Sequence, residues 1–231
     1  MLRQLRIGTI GIIVCSAFLL GCKDTVSPPS GPLPVLRHDP ILFVHGYLGN
    51  NGNWQQMEDR FRADGWQDVE LYAYNYSFID SNASSAAEIR DQVDRIITTT
   101  GATKVDIIAF SMGSISSRYY LKNLGGAGKI DAWVSLAGPN HGTTDVTNQD
   151  CQTTPCKEIL PGSAFLTALN AIDETPGLVR YATWRSPCDQ TIIPGESVIL
   201  SGATNSVSSC IAHLDFLTDA TVYAQVRDFI E

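Results

Sequence analysis

Only four histidines occur among the 231 residues, so chemistry that needs an imidazole has few places to put it. Positive charge is also scarce. Sixteen Lys and Arg face 24 Asp and Glu for a net charge of −8, and no basic cluster stands out along the chain. Nucleic-acid binding draws its affinity largely from cations set against phosphates, so a nucleic acid is not an expected partner. No apolar run reaches the ~20 residues that span a bilayer comfortably. There is no internal repeat, and beyond residue 35 no second Pro/Ser/Gly-rich linker to split the remainder. What is present is ordinary globular composition, 44% hydrophobic and 17% charged, which argues against disorder.

The N-terminus reads as an address. Arg3 and Arg6 precede the apolar run 7–20, the pattern of a signal peptide rather than a transmembrane helix. Leu19-Leu20-Gly21-Cys22 resembles a bacterial lipobox. That resemblance implies a signal segment over 1–21, a lipidated Cys22 as mature N-terminus, and membrane attachment through that lipid. An ordinary secretory signal is the alternative. Lys23, where an Asp would resemble an inner-membrane retention signal, points to the outer membrane if the host is Gram-negative. Residues 22–35, with prolines at 28, 29, 32 and 34, form an extended tether with little apolar surface to bury. A single domain is expected over 36–231.

Within that domain, strand and helix patterns alternate, as a parallel sheet requires. Strands are expected at 41–45, 69–74, 105–110, 132–136 and 179–184, with a last one at 197–200. Helices are expected at 54–63, from a capping box at Ser85–Glu88 to Gly101, and at 112–121, 163–170 and 219–230. The fold class is α/β with a mostly parallel sheet and helices on both faces.

Ala109-Phe110-Ser111-Met112-Gly113 falls where a strand gives way to a helix. Ser111 would occupy a sharp turn that brings its neighbours two before and two after close together, so small residues are needed there. The turn lifts the hydroxyl clear of the sheet, at the positive end of a helix. His45-Gly46-Tyr47-Leu48-Gly49 directly follows the first core strand. Acyl transfer needs fixed N–H donors for a developing oxyanion, and the Met112 and Tyr47 N–H groups are the candidates. The His45 side chain is read as a buried brace for its loop.

Together, HGYLG, AFSMG and a downstream Asp and then His resemble the α/β-hydrolase fold, and more narrowly the small bacterial lipase/esterase group with Ala at the start of the elbow. That group often has His at the position of Phe110 and Gly at that of Ser114. The resemblance implies a serine carboxylic ester hydrolase with a small or absent lid and no cofactor. Ser111 would be its nucleophile, His213 its base and Asp189 its acid, with Glu196 the second choice for the acid. His38 would lie in the linker and His141 in a structural loop. Asp131 falls at the wrong end of the sheet, and Asp145, Asp150 and Asp173 read as solvated. Asp215 resembles a calcium-ligand position of larger lipases, but no second ligand accompanies it and no metal is expected. The expected partner is an ester or lipid substrate, with no obligate protein partner. A polyester depolymerase, and a non-catalytic envelope binding lipoprotein on the same fold, are the alternatives.

Asn75 and Asn82 match glycosylation acceptors but read as silent in a bacterial lipoprotein. Tyr76 and Phe78 read as core before pocket wall, and Trp54 and Trp184 as packing or groove wall. Residues 138–176 form the longest stretch without a strand, expected to be a fixed rim. Of six cysteines, Cys15 and Cys22 belong to the leader region. An exported domain is expected to pair the other four, and proximity favours Cys151–Cys156 and Cys188–Cys210. The second bond would tie the acid loop to the base loop.

Overall fold

The computed structural model describes residues 31–146 and 151–231. The expected signal segment, Cys22, most of the tether and Asp150 lie outside the described residues. Strands β1 (Ile41–Val44), β2 (Leu71–Ala73), β3 (Val105–Phe110), β4 (Ile130–Leu136), β5 (Arg180–Arg185) and β6 (Thr204–Val207) form one sheet in the order β2-β1-β3-β4-β5-β6. Every pairing is parallel. Helices α1 (Gln55–Ala63), α2 (Asn82–Thr100), α3 (Met112–Asn123), α4 (Thr154–Glu158), α5 (Ala164–Asn170) and α6 (Ala220–Ile230) surround it.

A sheet covered on both faces needs apolar residues at successive strand positions, because side chains alternate between faces. In β1, Ile41 and Phe43 join Trp54, Phe61 and Trp66 with Val222, Val226 and Ile230 of α6. Leu42 and Val44 join Ile89, Val93 and Ile96 of α2 with Tyr120 and Leu121 of α3. The order of strands turns back at β1, with α1 packed on one face and α2 on the other. In open α/β sheets a ligand crevice lies at such a switch, outside the carboxyl ends of the strands. Here that is the end of β1 and β3.

Three local expectations differ from the structure. Helix α2 begins one turn early: Ser81 is its N-cap and accepts the Ser84 N–H at 3.1 Å. Contacts from distant chain hold the extra turn, since the buried Asn82 side chain donates to Glu158 Oε2 at 2.8 Å and accepts from Ser116 Oγ at 2.6 Å. Residues 197–200 are not a strand, because Gly195–Val198 forms a 3-10 turn. Val198, at the end of that turn, and Leu200, just after it, are apolar because their side chains are buried. The last strand is instead β6, mostly exposed and with one apolar residue, so no hydrophobic pattern announces it. His38 is not free linker either: its ring stacks on Trp66 with centroids 3.8 Å apart.

Trp54 and Trp184 are buried core side chains, and Asn82 is fully buried at its glycosylation motif, where a glycan has no room. Within β3 sits a buried carboxylate, Asp106, whose Oδ1 accepts the Ala132 N–H at 2.9 Å. Burial pushes its pKa well above the ordinary value, aided by the nearby Asp39 and Asp131. The folded state therefore holds a proton that the unfolded chain releases near pH 4, so stability falls as pH rises from there through the raised folded value. Asp106→Asn is expected to raise the melting temperature at pH 7 relative to pH 4.5. Thermal unfolding at the two pH values checks this, and equal shifts at both would count against it.

Candidate active site

Strand β3 ends at Phe110 and α3 begins at Met112, leaving Ser111 at φ 52°, ψ −128°. This is a backbone region that non-glycine residues avoid, and it persists only where surroundings enforce it. The enforcement is visible. Ser111 N–H donates to the Leu136 carbonyl at 2.9 Å, and the Ser114 N–H donates to the Ser111 carbonyl at 3.0 Å. A Cβ at Gly113 would stand 2.4 Å from the His45 carbonyl oxygen and 2.6 Å from that of Val44. Only glycine lets α3 start this close to the end of β1.

The fold brings His213 and Asp189 to this serine from 102 and 78 residues downstream. His213 Nε2 lies 3.0 Å from Ser111 Oγ, and His213 Nδ1 lies 2.8 Å from Asp189 Oδ2. The other carboxylate oxygen, Oδ1, accepts the Thr191 N–H at 2.8 Å and the Ile192 N–H at 3.2 Å. Burial acts to raise the Asp189 pKa, but the hydrogen bond and charge of His213 with those two N–H groups outweigh it and hold the carboxyl below its ordinary value. Phe110 tilts against the His213 ring at 4.7 Å between centroids.

The loop after β1 closes on the same point. A Cβ at Gly46 would come 2.9 Å from Ser111 Cβ, so this loop lies directly against Ser111. Among the described residues, neither the Tyr47 nor the Met112 N–H has a backbone partner. Phe78 is half-buried and meets the Tyr47 ring edge-on at 5.6 Å, placing it beside this loop, whereas Tyr76 is buried. At the end of the sheet that carries Ser111, exposed Tyr47, Leu48, Ile79, Ile193 and Leu214 stand on the loops after β1, β2 and β5 and before α6.

Other candidates fall elsewhere. Glu196 is exposed on the 3-10 turn, and Asp145 and Asp173 are also exposed. His141 bonds Glu174 at 2.7 Å and Ser197 O at 3.2 Å instead of facing the serine. Asp215 Oδ2 accepts the Ala212 N–H at 3.0 Å. Among the described residues, the carboxylates near enough to share a cation are Asp39, Asp106 and Asp131, within 4.8 Å of one another. They cluster at the opposite end of the sheet, where Asp131 pairs with Arg180. Nothing in the sequence pattern marked this group, because its members come from three separate segments.

Disulfides join Cys151 to Cys156 and Cys188 to Cys210. Cys188 adjoins Asp189 and Cys210 lies just before His213, so the second bond ties together the two loops whose side chains make the 2.8 Å contact. Closing a loop of this length contributes about 3 kcal/mol in the chain-entropy model. Replacing both Cys188 and Cys210 with Ala is expected to lower the melting temperature and slow turnover together. Scanning calorimetry and ester assays check it, and a stability loss with full turnover would remove the coupling role.

The family model for class 2 lipases matches residues 38–209. Among solved structures, the chain is similar to mature Bacillus licheniformis lipase BlEst2, with TM-score 0.72 and 16% identity over 89% of this chain and 96% of that one. It is similar to Aspergillus fumigatus lipase B with TM-score 0.72 and 16% identity, covering 83% of this chain but only 52% of that one. Thus it spans about half the length of that fungal protein. Esterase RhEst1 from Rhodococcus matches with TM-score 0.56 and 15% identity over 84% of this chain and 90% of that one. At such identities these likenesses speak to the α/β-hydrolase fold.

Proposed function

The chain belongs to the class 2 lipase family, a family of carboxylic ester hydrolases, and from that premise we propose that it cleaves esters of apolar acyl groups through an acyl-enzyme on Ser111. The observation that carries this reading is the His213 ring, held between Ser111 Oγ at 3.0 Å and Asp189 Oδ2 at 2.8 Å.

As Ser111 Oγ bonds to the ester carbonyl carbon, its proton passes to His213 Nε2. The Tyr47 and Met112 N–H groups receive the negative charge that develops on the carbonyl oxygen. Asp189 keeps the imidazole proton on Nδ1 and stabilises the imidazolium. His213 then gives its proton to the departing alcohol oxygen as the C–O bond breaks. Water attacks the acyl-enzyme by the same route, releasing the acid and returning the proton to Ser111.

The exposed apolar residues on the loops at the serine's end of the sheet favour an acyl chain or polymer segment lying over the site. A polyester is therefore the second reading. The two disulfides support an exported protein, with residues 1–21 as signal, Cys22 as lipid anchor, 22–35 as tether and 36–231 as the catalytic domain. No helix among the described residues is long and apolar enough to cross a membrane.

The test is hydrolysis of p-nitrophenyl esters from acetate to palmitate, alongside emulsified triglyceride and an aliphatic polyester film. Turnover of the soluble esters, with no abrupt rise as triglyceride passes from solution to emulsion, is expected of a site with a fixed rim. No turnover of any ester by folded protein would overturn the reading and leave the binding lipoprotein in its place. A rate on film exceeding that on triglyceride would select the polyester.

A further inference from the structure

We propose that Tyr76 is a positioning residue for the oxyanion hole, acting through His45 on the peptide that carries the Tyr47 N–H; this rests on the ester-hydrolase reading above. The Gly46 carbonyl and the Tyr47 N–H belong to one peptide unit. In a planar trans peptide these two groups point in opposite directions, so whatever anchors the Gly46 oxygen also aims the Tyr47 N–H. Two donors anchor it: His45 Nδ1 at 2.9 Å and Gly49 N at 3.1 Å.

The first of these depends on a tautomer. A carbonyl has no proton to offer, so His45 Nδ1 must carry the hydrogen. The backbone N–H of Tyr76 faces Nε2 of the same ring at 3.4 Å and can only donate, which requires a lone pair there. Tyr76 thus selects the imidazole form that holds the oxyanion peptide. Its ring stacks on His45 with centroids 4.1 Å apart and planes 19° from parallel. Its hydroxyl donates to the His45 carbonyl oxygen at 2.5 Å.

That carbonyl is the one pressed against Gly113 at the start of α3. The His45 backbone is therefore clamped between Tyr76 and the nucleophile's helix, and its side chain passes the constraint on to the donor peptide. Both residues are buried, His45 at 1% and Tyr76 at 6% exposure. Desolvation lowers the His45 pKa against the opposing effect of its Gly46 bond, in keeping with a neutral ring. Buried as they are, neither side chain presents a surface to a substrate. Their effect is to pre-set a donor where charge appears in the transition state, so they act on kcat rather than on ground-state binding.

Tyr76→Phe keeps the ring stack and the backbone N–H but removes the hydroxyl clamp. On a soluble p-nitrophenyl ester, kcat is expected to fall about 10- to 100-fold, less than the ~10²- to 10³-fold cost of deleting an oxyanion donor outright. KM should stay within about threefold, and affinity for a phenylboronic acid, which forms a tetrahedral adduct on the nucleophile, should fall with kcat/KM. Tyr72→Phe serves as control, since it removes a hydroxyl bonded to the Val69 carbonyl at 2.8 Å away from the loop, and should leave kcat unchanged. Unchanged kcat in folded Tyr76→Phe, or a loss confined to KM, would overturn the proposal. Should that variant not fold, 15N NMR of the wild-type imidazoles decides: His45 protonated on Nδ1 alone at pH 7 supports it, and a proton on Nε2 overturns it. An active wild type with an indifferent Tyr76→Phe sinks this inference alone, whereas a folded wild type that hydrolyses no ester sinks the functional reading beneath it.

Discussion

Ser111→Ala is expected to lower kcat by at least about 10³-fold, toward the ~10⁶-fold loss seen when the nucleophile of a serine triad is removed. Folding should be unaffected. Alanine also carries a Cβ, so the strain at φ 52° is the same in both proteins. The bonds that hold the turn, from Ser111 N–H to Leu136 and from Ser114 N–H to residue 111, involve only the backbone. The melting temperature should therefore stay within a degree or two of wild type. A fluorophosphonate should label the wild type at residue 111 and leave the variant unlabelled. Turnover within tenfold of wild type, in a preparation free of contaminating esterase, would place the nucleophile elsewhere.

Asp189→Asn is expected to cost about 10⁴-fold in kcat with a much smaller change in KM. The reason lies in the loop geometry. Oδ1 of Asp189 accepts two backbone N–H groups, from Thr191 and Ile192, while Oδ2 faces His213 Nδ1. An asparagine must keep its oxygen toward those N–H donors, because its NH2 group would oppose them. That leaves the NH2 facing His213 Nδ1, which must then accept. The proton moves to Nε2, and the ring can no longer take one from Ser111. The carboxylate also contributes stability. Its folded pKa lies below the ordinary value, so that contribution is present above the unfolded value of about 4 and is lost as pH falls through the folded one. The stability gap between wild type and Asp189→Asn should close on acidification below pH 4. Turnover within tenfold of wild type at neutral pH, or a gap that persists at pH 2, would contradict this account.

How far such residues can be read from a sequence depends on whether their constraint is local. Ser111 was legible because a small-x-Ser-x-Gly string between a strand pattern and a helix pattern is itself the turn. The buried strands were legible because burial on both faces demands runs of apolar residues, unbroken in β1 and interrupted in β3 only by Asp106. The 197–200 segment looks like a strand for the same reason: burial makes residues apolar whatever their backbone does, and here Val198 and Leu200 are buried in and just after a 3-10 turn. β6 was silent because an edge strand carries little apolar demand, and its identity rests on pairing with β5. The start of α2 was misplaced because Ser85 and Glu88 imitate a cap, whereas Ser81 makes it, with Glu158 and Ser116 securing Asn82 from afar.

Local sequence patterns suffice for β1 to β5, for every helix except α4, for the small residues of the elbow, and for the short menu of histidines and cysteines. Each of these follows from local sterics or from hydrophobic periodicity, which a linear string records. The 3.0 Å at which His213 meets Ser111, and the grip of Tyr76 on His45, come from tertiary packing. It alone gathered Asp39, Asp106 and Asp131 at the far end of the sheet. Those contacts join segments tens of residues apart, at distances set by sheet register and helix packing. A hydrogen bond tolerates only a few tenths of an ångström, and no spacing along the chain encodes that.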